Sequence, residues 1–232
     1  MVTDRFLRFC AVALSAALAL VGPAARADPV EYYAGVTFTS NFVSDGMTET
    51  RDGAAVQPYL EAKFNGFYAG IWGSTVDFAT ADRAEVDLYL GYRTAVLDGR
   101  LGLDLGYARY FFDDSGDCCG ELSLSALYAV TDRFGIGGYV AYDPEVEAFN
   151  RRATLAYKVN DRLAVSARWG KIDAGGRTYW DAGGSYAFND IASLDLRYYG
   201  ASAGDPGLVL SLSFATTQGT LRRLFGTAGG RR

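Results

Sequence analysis

The sequence predicts a closed, antiparallel, up-and-down β-barrel that crosses a membrane with about twelve strands. Three observations predict this fold. Segments of about ten residues, in which apolar and polar residues alternate, recur along the chain after residue 27. Short and longer connections between these segments alternate, and many aromatic residues lie near the segment ends.

Residues 1–27 are predicted to be a signal peptide. Arg5 and Arg8 give a positive start, residues 9–22 form an uncharged and mostly apolar run, and Ala25-Arg26-Ala27 is a small-x-small cleavage site. The apolar run is shorter than the ~20 residues that a membrane-spanning helix needs. An N-terminal anchor that stays uncleaved is the alternative. Cleavage near Ala27 would leave one domain, with residues 28–215 as the barrel.

The overall charge and the cysteines exclude some classes of function. The chain has 27 acidic and 22 basic residues, a net charge of −5, so nucleic acid is not an expected partner. Cys118 and Cys119 are adjacent in sequence. A bond between them would close a small strained ring, so they are alternatively reduced or joined to a second chain.

The predicted strands are rich in Tyr, Val, Leu and Thr, and their ends are uncertain by about two to four residues. They are Tyr32–Val43, Ala54–Phe64, Phe67–Val76, Ala84–Ala95, Leu101–Phe111, Glu121–Val130, Phe134–Tyr142, Ala148–Val159, Leu163–Lys171, Tyr179–Phe188, Ala192–Tyr199 and Gly207–Ala215.

The connections fall into two length classes. The short ones are Asn65-Gly66, Asp98-Gly99, Thr131–Arg133, Asn160–Arg162 and Asn189-Asp190. The longer ones are Ser44–Gly53, Asp77–Arg83, Phe112–Gly120, Asp143–Glu147, Ile172–Thr178 and Gly200–Pro206. Short periplasmic turns that alternate with longer extracellular loops are typical of outer-membrane barrels with an even number of strands. Both barrel ends are therefore predicted to be periplasmic, and the loop with Cys118 and Cys119 extracellular.

Each predicted strand has one apolar face. In residues 163–170, for example, Leu, Val, Ala and Trp alternate with Ala, Ser, Arg and Gly. Alternation alone also fits a soluble periplasmic β-barrel that binds an apolar ligand inside. The signal peptide, the sorting of connections by length and the aromatic positions favour lipid outside and water inside.

The aromatic residues near strand ends are predicted to form two belts at the membrane interfaces. Ordinary β-propensity is the alternative explanation. The aromatic residues near the short turns are Phe64, Phe67, Tyr68, Phe134 and Phe188. Those near the longer loops are Tyr110, Phe111, Tyr142, Trp169, Trp180, Tyr198 and Tyr199.

The last predicted strand resembles a signal that is recognised during barrel assembly. The last strand ends at Phe214 and has Leu two, four and six positions earlier. This pattern resembles the C-terminal signal of barrel proteins, so the barrel-assembly machinery is an expected partner during biogenesis. Residues 216–232 are rich in Gly and Arg and are predicted to be a disordered basic periplasmic tail.

Residues 36–48 read Val-Thr-Phe-Thr-Ser-Asn-Phe-Val-Ser-Asp-Gly-Met-Thr. This stretch resembles the opening of the TorF family of outer-membrane porins. Ala55–Pro58, Gly66–Phe78 and Glu85–Tyr92 match it further, and the resemblance is good over residues 36–111. It implies an outer-membrane barrel with a pore role and no catalytic residues.

Chemistry at a catalytic site is not expected. The chain has no histidine, which removes Ser-His-Asp and Cys-His constellations and histidine metal sites. The acidic stretch Phe112–Glu121 lacks the spacing of an EF-hand, so a solvated acidic loop is favoured over a calcium site. We predict no enzyme, no cofactor and no metal.

The charged residues predicted to face inward are the candidate pore-lining residues. Opposite charges on facing walls impose a transverse field, by which a water-filled pore selects solutes by charge and size. They are Glu61, Lys63, Glu85, Asp87, Arg93, Asp104, Arg152, Lys158, Arg168, Asp181, Asp195 and Arg197.

Two functional hypotheses follow. In the first, the barrel is a porin for small hydrophilic solutes or ions, with outer-membrane lipid around it. In the second, the charges pair across the lumen and close it, leaving a structural barrel that binds partners through its extracellular loops. Barrels of about 8 strands are filled and those of 16–18 strands hold a channel, so twelve strands is intermediate. The oligomeric state stays open.

Overall fold

The computed structural model describes residues 30–204 and 207–216. The predicted signal peptide, and all but the first residue of the predicted tail, lie outside the described residues. Within the described part of the chain, no helix is long and apolar enough to cross a membrane.

The protein is a closed antiparallel barrel of twelve strands, in which each strand pairs with the barrel strands before and after it and β14 closes on β1. This confirms the predicted fold, an up-and-down transmembrane barrel. A separate short hairpin, β2 and β3, lies between the first two barrel strands. The barrel strands are β1 Glu31–Thr39, β4 Ala55–Phe64, β5 Phe67–Thr75, β6 Ala84–Val96, β7 Leu101–Phe112, β8 Gly116–Ala129, β9 Phe134–Asp143, β10 Ala148–Lys158, β11 Leu163–Ile172, β12 Thr178–Ala187, β13 Ala192–Ala201 and β14 Gly207–Ala215, and the hairpin strands are β2 Val43–Ser44 and β3 Met47–Thr48.

Exposure alternates along the strands, as a barrel with an apolar outside requires. In β6, the side chains of Val86, Leu88 and Leu90 are exposed on the outside, whereas Glu85 and Asp87 between them are partly buried inside. Large apolar residues on an outer surface are unfavourable in water but suit contact with lipid. The outside of the barrel is thus the lipid-facing surface.

The periplasmic turns are stabilised by positive-φ residues or by side-chain hydrogen bonds from their first residue. Asn65 and Gly66 both have positive φ, the conformation that two-residue hairpins favour. Asn160 Oδ1 accepts hydrogen bonds from the backbone N–H groups of Arg162 and Leu163, at 2.8 and 2.9 Å. Asn189 Oδ1 and Thr131 Oγ1 accept equivalent pairs of bonds in their turns.

On the extracellular side, two predicted boundaries are wrong. β1 ends at Thr39 rather than at residue 43, because the chain turns inward there. β8 begins at Gly116, so the predicted loop from Phe112 to Gly120 is reduced to residues 113–115. Gly116 has a φ of +79°, which permits the tight turn. Most of the extra length of the extracellular connections therefore lies in residues 40–54 and 76–83.

Cys118 and Cys119 lie within a strand rather than in a loop, and the two are disulfide-bonded to each other. The β7–β8 register shifts between Tyr110 and Phe111, where Cys118 is the extra residue. The strand thus accommodates the two cysteines through a β-bulge, which absorbs one unpaired residue.

The aromatic residues do not all belong to the outer belts. Trp169, Trp180 and Tyr198 are exposed on the outside, and the last two stack with ring centroids 5.7 Å apart. Tyr68 and Tyr110, which were predicted to lie in the belts, instead hydrogen-bond to carboxylates inside the barrel. Closeness to a strand end does not fix the face of the sheet, which alternates with every residue.

Candidate functional site: the lumen and its extracellular mouth

The twelve candidate pore-lining residues all occupy inner-face positions of their strands, as judged by the alternation of exposure and by cross-strand register. They separate into two paired clusters, two residues near the periplasmic end and a group at the extracellular mouth. Their role in conduction remains a prediction.

The Arg93 cluster lies on the wall formed by β4 to β7. The Arg93 guanidinium binds Glu61 at 2.6 Å and Asp104 at 2.7 Å, and it stacks 3.7 Å from the centroid of the Tyr68 ring. The Tyr68 hydroxyl donates a 2.6 Å hydrogen bond to Asp104. One cation is thus shared by two carboxylates and held in place by an aromatic ring.

The Arg197 cluster lies on β11 to β13. Asp181 is 2% exposed and receives bonds from two guanidinium groups, Arg197 at 2.6 Å and Arg168 at 2.8 Å. Arg197 also bonds Ser166 at 2.9 Å and Asp195 at 3.2 Å. Two cations and two carboxylates thus neutralise one another in a continuous network.

These two clusters are on opposite walls of the barrel. Among the described residues, the two partners of each ion pair inside the barrel lie close together around the wall. They belong to one strand and its turn, or to strands no more than two positions apart. The alternative that the charges pair across the lumen finds no support in these contacts. The strong pairs line the wall instead.

The other candidates differ in their surroundings. Lys63 lies 3.6 Å from Glu31 and Lys158 2.9 Å from Asp161, both toward the periplasmic end. Arg152 lies over the Tyr139 ring, 4.5 Å from its centroid. Within the described structure, Nε of Arg152 and Oδ1 of Asp87 are buried without a hydrogen-bond partner.

The crossing loop, residues 40–54, is a feature of the mouth that the sequence did not predict. Its tip reaches β10, which lies nearly opposite the loop's own strands around the barrel. There Asn150 donates a 2.6 Å hydrogen bond to Asp45 Oδ2, and Nε of Arg177 donates a 3.0 Å bond to the Asp45 carbonyl oxygen. The loop therefore spans the extracellular mouth.

Gly46 makes this docking possible. Its φ is +79°, and a Cβ added there would lie 2.6 Å from Cβ of Tyr179 and 2.8 Å from Cβ of Ala201. Contacts this short do not occur between real side chains. A residue without a side chain is thus required both for the backbone conformation and for the close approach of the loop tip to β12 and β13.

The base of the crossing loop is held by Asn41, which is 5% exposed. Its side-chain oxygen accepts a 2.7 Å bond from the Thr48 hydroxyl and lies 3.0 Å from the Thr50 hydroxyl, while its amide donates a 2.9 Å bond to Asp52. Asn41 belongs to the Ser-Asn-Phe-Val-Ser-Asp-Gly stretch of the resemblance. That motif, together with the length of the connection, is the sequence signal that could have indicated a folded loop.

The crossing loop leaves two cavities at the mouth that differ in their charged residues. The smaller one, called the basic chamber because arginines line it, has a volume of about 130 Å³. It is lined by Arg152, Arg168, Tyr179, Asp181 and Tyr199 with the loop tip, so its two arginines are balanced by Asp45 and Asp181. The larger one, the acidic chamber, has a volume of about 380 Å³. Its carboxylate and aromatic lining residues are Asp45, Glu49, Glu85, Asp87, Glu121, Phe42, Trp72, Tyr110 and Phe112.

Glu49 of the crossing loop has a pKa in the physiological range. Burial raises the pKa of Glu49 to about 7, the neighbouring Glu85 carboxylate adds to the rise, and the positive charge of Arg177 opposes it. The charge of the acidic chamber therefore changes near neutral pH.

Hydrogen bonds join the predicted acidic loop to the neighbouring extracellular connection, residues 76–83, and to the start of β6. Asp82 Oδ1 accepts bonds from the Ser115 N–H at 2.9 Å and from the Asp114 N–H at 3.2 Å. Asp113 accepts bonds from the N–H groups of Arg83 and Ala84, at 2.7 and 3.0 Å. These backbone donors lower the pKa of Asp82 and of Asp113. Within residues 30–204 and 207–216, no three His, Cys, Asp or Glu are grouped so as to hold a metal ion.

The closed barrel, its apolar outer surface and its charged lumen define the class of protein, the transmembrane β-barrels of the outer-membrane type. The family model for the bacterial protein of unknown function Gcw_chp matches residues 23–206, and the chain belongs to that family. No curated protein sequence matches the chain.

Solved structures with the same fold include porins. The chain is similar to a KdgM porin, with a TM-score of 0.61 and 9% identity over 79% of this chain and 97% of that one. A second KdgM porin structure, in complex with disordered oligogalacturonate, gives a TM-score of 0.60 at 9% identity over the same shares. A NanC porin gives 0.50 at 12% identity over 82% of this chain and all of that one.

Proposed function

We propose that this protein is an outer-membrane porin through which small hydrophilic solutes or ions diffuse passively. The observation that carries the proposal is the crossing loop, which spans the mouth and leaves a charged chamber on each side. A barrel that only anchors surface loops has no need of a loop folded into its lumen. The charge pairs along the walls support the same proposal, because no ion pair among the described residues crosses the lumen.

The remaining parts of the proposal concern location and chemistry. Residues 1–27 direct export and are cleaved near Ala27, and Phe214 is read by the barrel-assembly machinery. The resemblance of residues 36–111 to the TorF porins supports the same function. The protein has no enzymatic activity and needs no cofactor, since the chain lacks the histidine of the usual catalytic constellations.

Reconstitution in a planar bilayer tests the proposal. Protein that is folded, as judged by heat-modifiable migration on a gel, is expected to give discrete conductance steps in potassium chloride. Deletion of residues 43–48 is expected to increase the step size, because it removes the tip of the crossing loop but no barrel strand.

The absence of conductance steps in both folded proteins would contradict the pore. It would leave the second hypothesis, a non-conducting barrel that acts through its extracellular surface. A cell fractionation experiment is an independent check, because recovery in the soluble periplasmic fraction would contradict the membrane location.

A further inference from the structure

The acidic chamber is lined by several carboxylates and by no basic side chain. Five carboxylates line it, from Asp45 and Glu49 of the crossing loop and from Glu85, Asp87 and Glu121 of the barrel. No lysine or arginine is among its lining residues. The Arg93 and Arg197 clusters, by contrast, pair each carboxylate with a guanidinium group.

The carboxylates of this chamber do not fit a metal ion. Among the described residues, no three acidic groups converge closely enough to hold one. They are instead spread around a cavity of about 380 Å³, within the roughly 300–1,000 Å³ of typical small-molecule sites. Oδ1 of Asp87 is buried there and has no hydrogen-bond partner in the described part of the chain. A cation larger than a bare metal ion therefore suits this cavity.

Aromatic rings complete the chamber. Phe42 and Trp72 meet edge to face with ring centroids 5.5 Å apart, and Tyr110 and Phe112 also line the cavity. The faces of aromatic rings attract organic cations, and the attraction is stronger when water is excluded. Carboxylates with aromatic faces are thus a suitable lining for an ammonium group that carries carbon substituents.

We infer that the acidic chamber binds organic ammonium ions, such as amines and diamines, and that these are a solute class that the pore admits. For passage, the inference rests on the proposed pore function. For binding, it rests on the chamber alone. The basic chamber on the other side of Asp45 is expected to bind them more weakly, because Arg152 and Arg168 balance its two carboxylates, Asp45 and Asp181.

Tryptophan fluorescence provides a direct test. The chain has three tryptophans, and Trp72 lines the chamber while Trp169 and Trp180 are exposed on the outer surface. The double variant W169F/W180F therefore leaves Trp72 as the reporter. We expect putrescine and tetramethylammonium to change its fluorescence saturably in detergent micelles at constant ionic strength, and glutarate to cause no change.

Charge removal identifies the site. In the same background, E85Q/D87N is expected to weaken putrescine binding by about tenfold, because neutral amides replace two of the five carboxylates of the chamber. The matched control is Asp98→Asn, which removes one carboxylate in a periplasmic turn and is expected to leave binding unchanged. If E85Q/D87N fails to fold, Glu49→Gln in the crossing loop serves instead, with an expected loss of about threefold.

The outcomes separate the two proposals. Equal responses to putrescine and glutarate, or unchanged binding in the charge-removal variant, would overturn the ammonium site. A protein that conducts potassium chloride but does not bind putrescine would refute only this inference. A protein that binds putrescine without conducting would refute the pore and retain the site.

Discussion

At the scale of single residues, the crossing loop depends on a few side chains that have no role in the barrel. Asn41 closes the base of the loop, Asp45 joins its tip to β10 on the far wall, and Gly46 packs against β12 and β13. The contacts at the base join residues within the loop, whereas those at the tip join residues that are far apart in sequence, as for Asp45 and Asn150. The loop is therefore a tertiary feature that is set by polar contacts and by one glycine.

Substitution of Gly46 with Val is expected to undock the tip and to increase single-channel conductance. The valine side chain would collide with Tyr179 and Ala201, and it would also be strained at a φ of +79°, at a cost of about 1–3 kcal/mol. Gly116→Val is the matched control, because Gly116 has the same φ and no atom within 4 Å of a Cβ. Conductance that rises equally in both variants would mean that backbone strain, and not lost docking, is the cause.

The charge of Glu49 predicts a pH dependence. Because burial raises the pKa of Glu49 from 4.5 to about 7, this carboxyl is neutral below pH 7 and ionised above it. Reversal potentials in a salt gradient are thus expected to show cation selectivity rising between about pH 6 and pH 8. Protonation favours the folded state, so the contribution of Glu49 to stability is lost as pH rises through 7.

Glu49→Gln is expected to flatten this pH profile, since glutamine does not titrate. Arg177, Asp45 and Glu85 face the same group and remain in the variant. A profile that is as steep in the variant as in the native protein would assign the titration to the barrel carboxylates instead.

At the scale of elements, the positions of the strands could be predicted from the sequence, whereas the conformation of the long loops could not. Alternation with a period of two gave most strand limits to within two residues and the correct inner face, because lipid outside and polar groups inside impose it on every strand. The start of β8 was misplaced because Gly116 and a bulge at Cys118 extend the hairpin through a polar stretch. Aromatic residues were assigned to belts by position along the strand, which does not fix the face.

The periplasmic turns offer a prediction at this scale. Asn160→Ala removes both side-chain hydrogen bonds to the backbone of its turn and is expected to lower the free energy of unfolding by about 1 kcal/mol. Asp161→Ala in the same turn should have a smaller effect, because its ion pair with Lys158 is exposed. Urea unfolding in detergent micelles measures both, and equal losses would contradict the role of Asn160.

At the scale of the whole molecule, the charged residues of the lumen are arranged differently from those of its extracellular mouth. The Arg93 and Arg197 clusters are internally paired on opposite walls, whereas the mouth keeps an excess of carboxylates in one chamber and Arg152 in the other. The sequence predicted which charged residues face inward, but not which of them pair. Pairing depends on strand register and on contacts across two strands, such as Arg93 with Glu61, and alternation alone does not specify these.

This organisation predicts that inner arginines differ in what they control. Arg197→Met removes one of the two cations that neutralise the buried Asp181, so it is expected to lower the free energy of unfolding by about 3 kcal/mol. Arg152→Met should leave stability nearly unchanged, since Arg152 contacts a tyrosine ring and no carboxylate within the described residues, and it should make the pore more cation-selective. Urea unfolding measures the stability of both variants, and reversal potentials measure their ion selectivity. Equal losses of stability would show that the lumen is too well solvated for burial to distinguish the two arginines, and an unchanged reversal potential in Arg152→Met would exclude the basic chamber from the path of the ions.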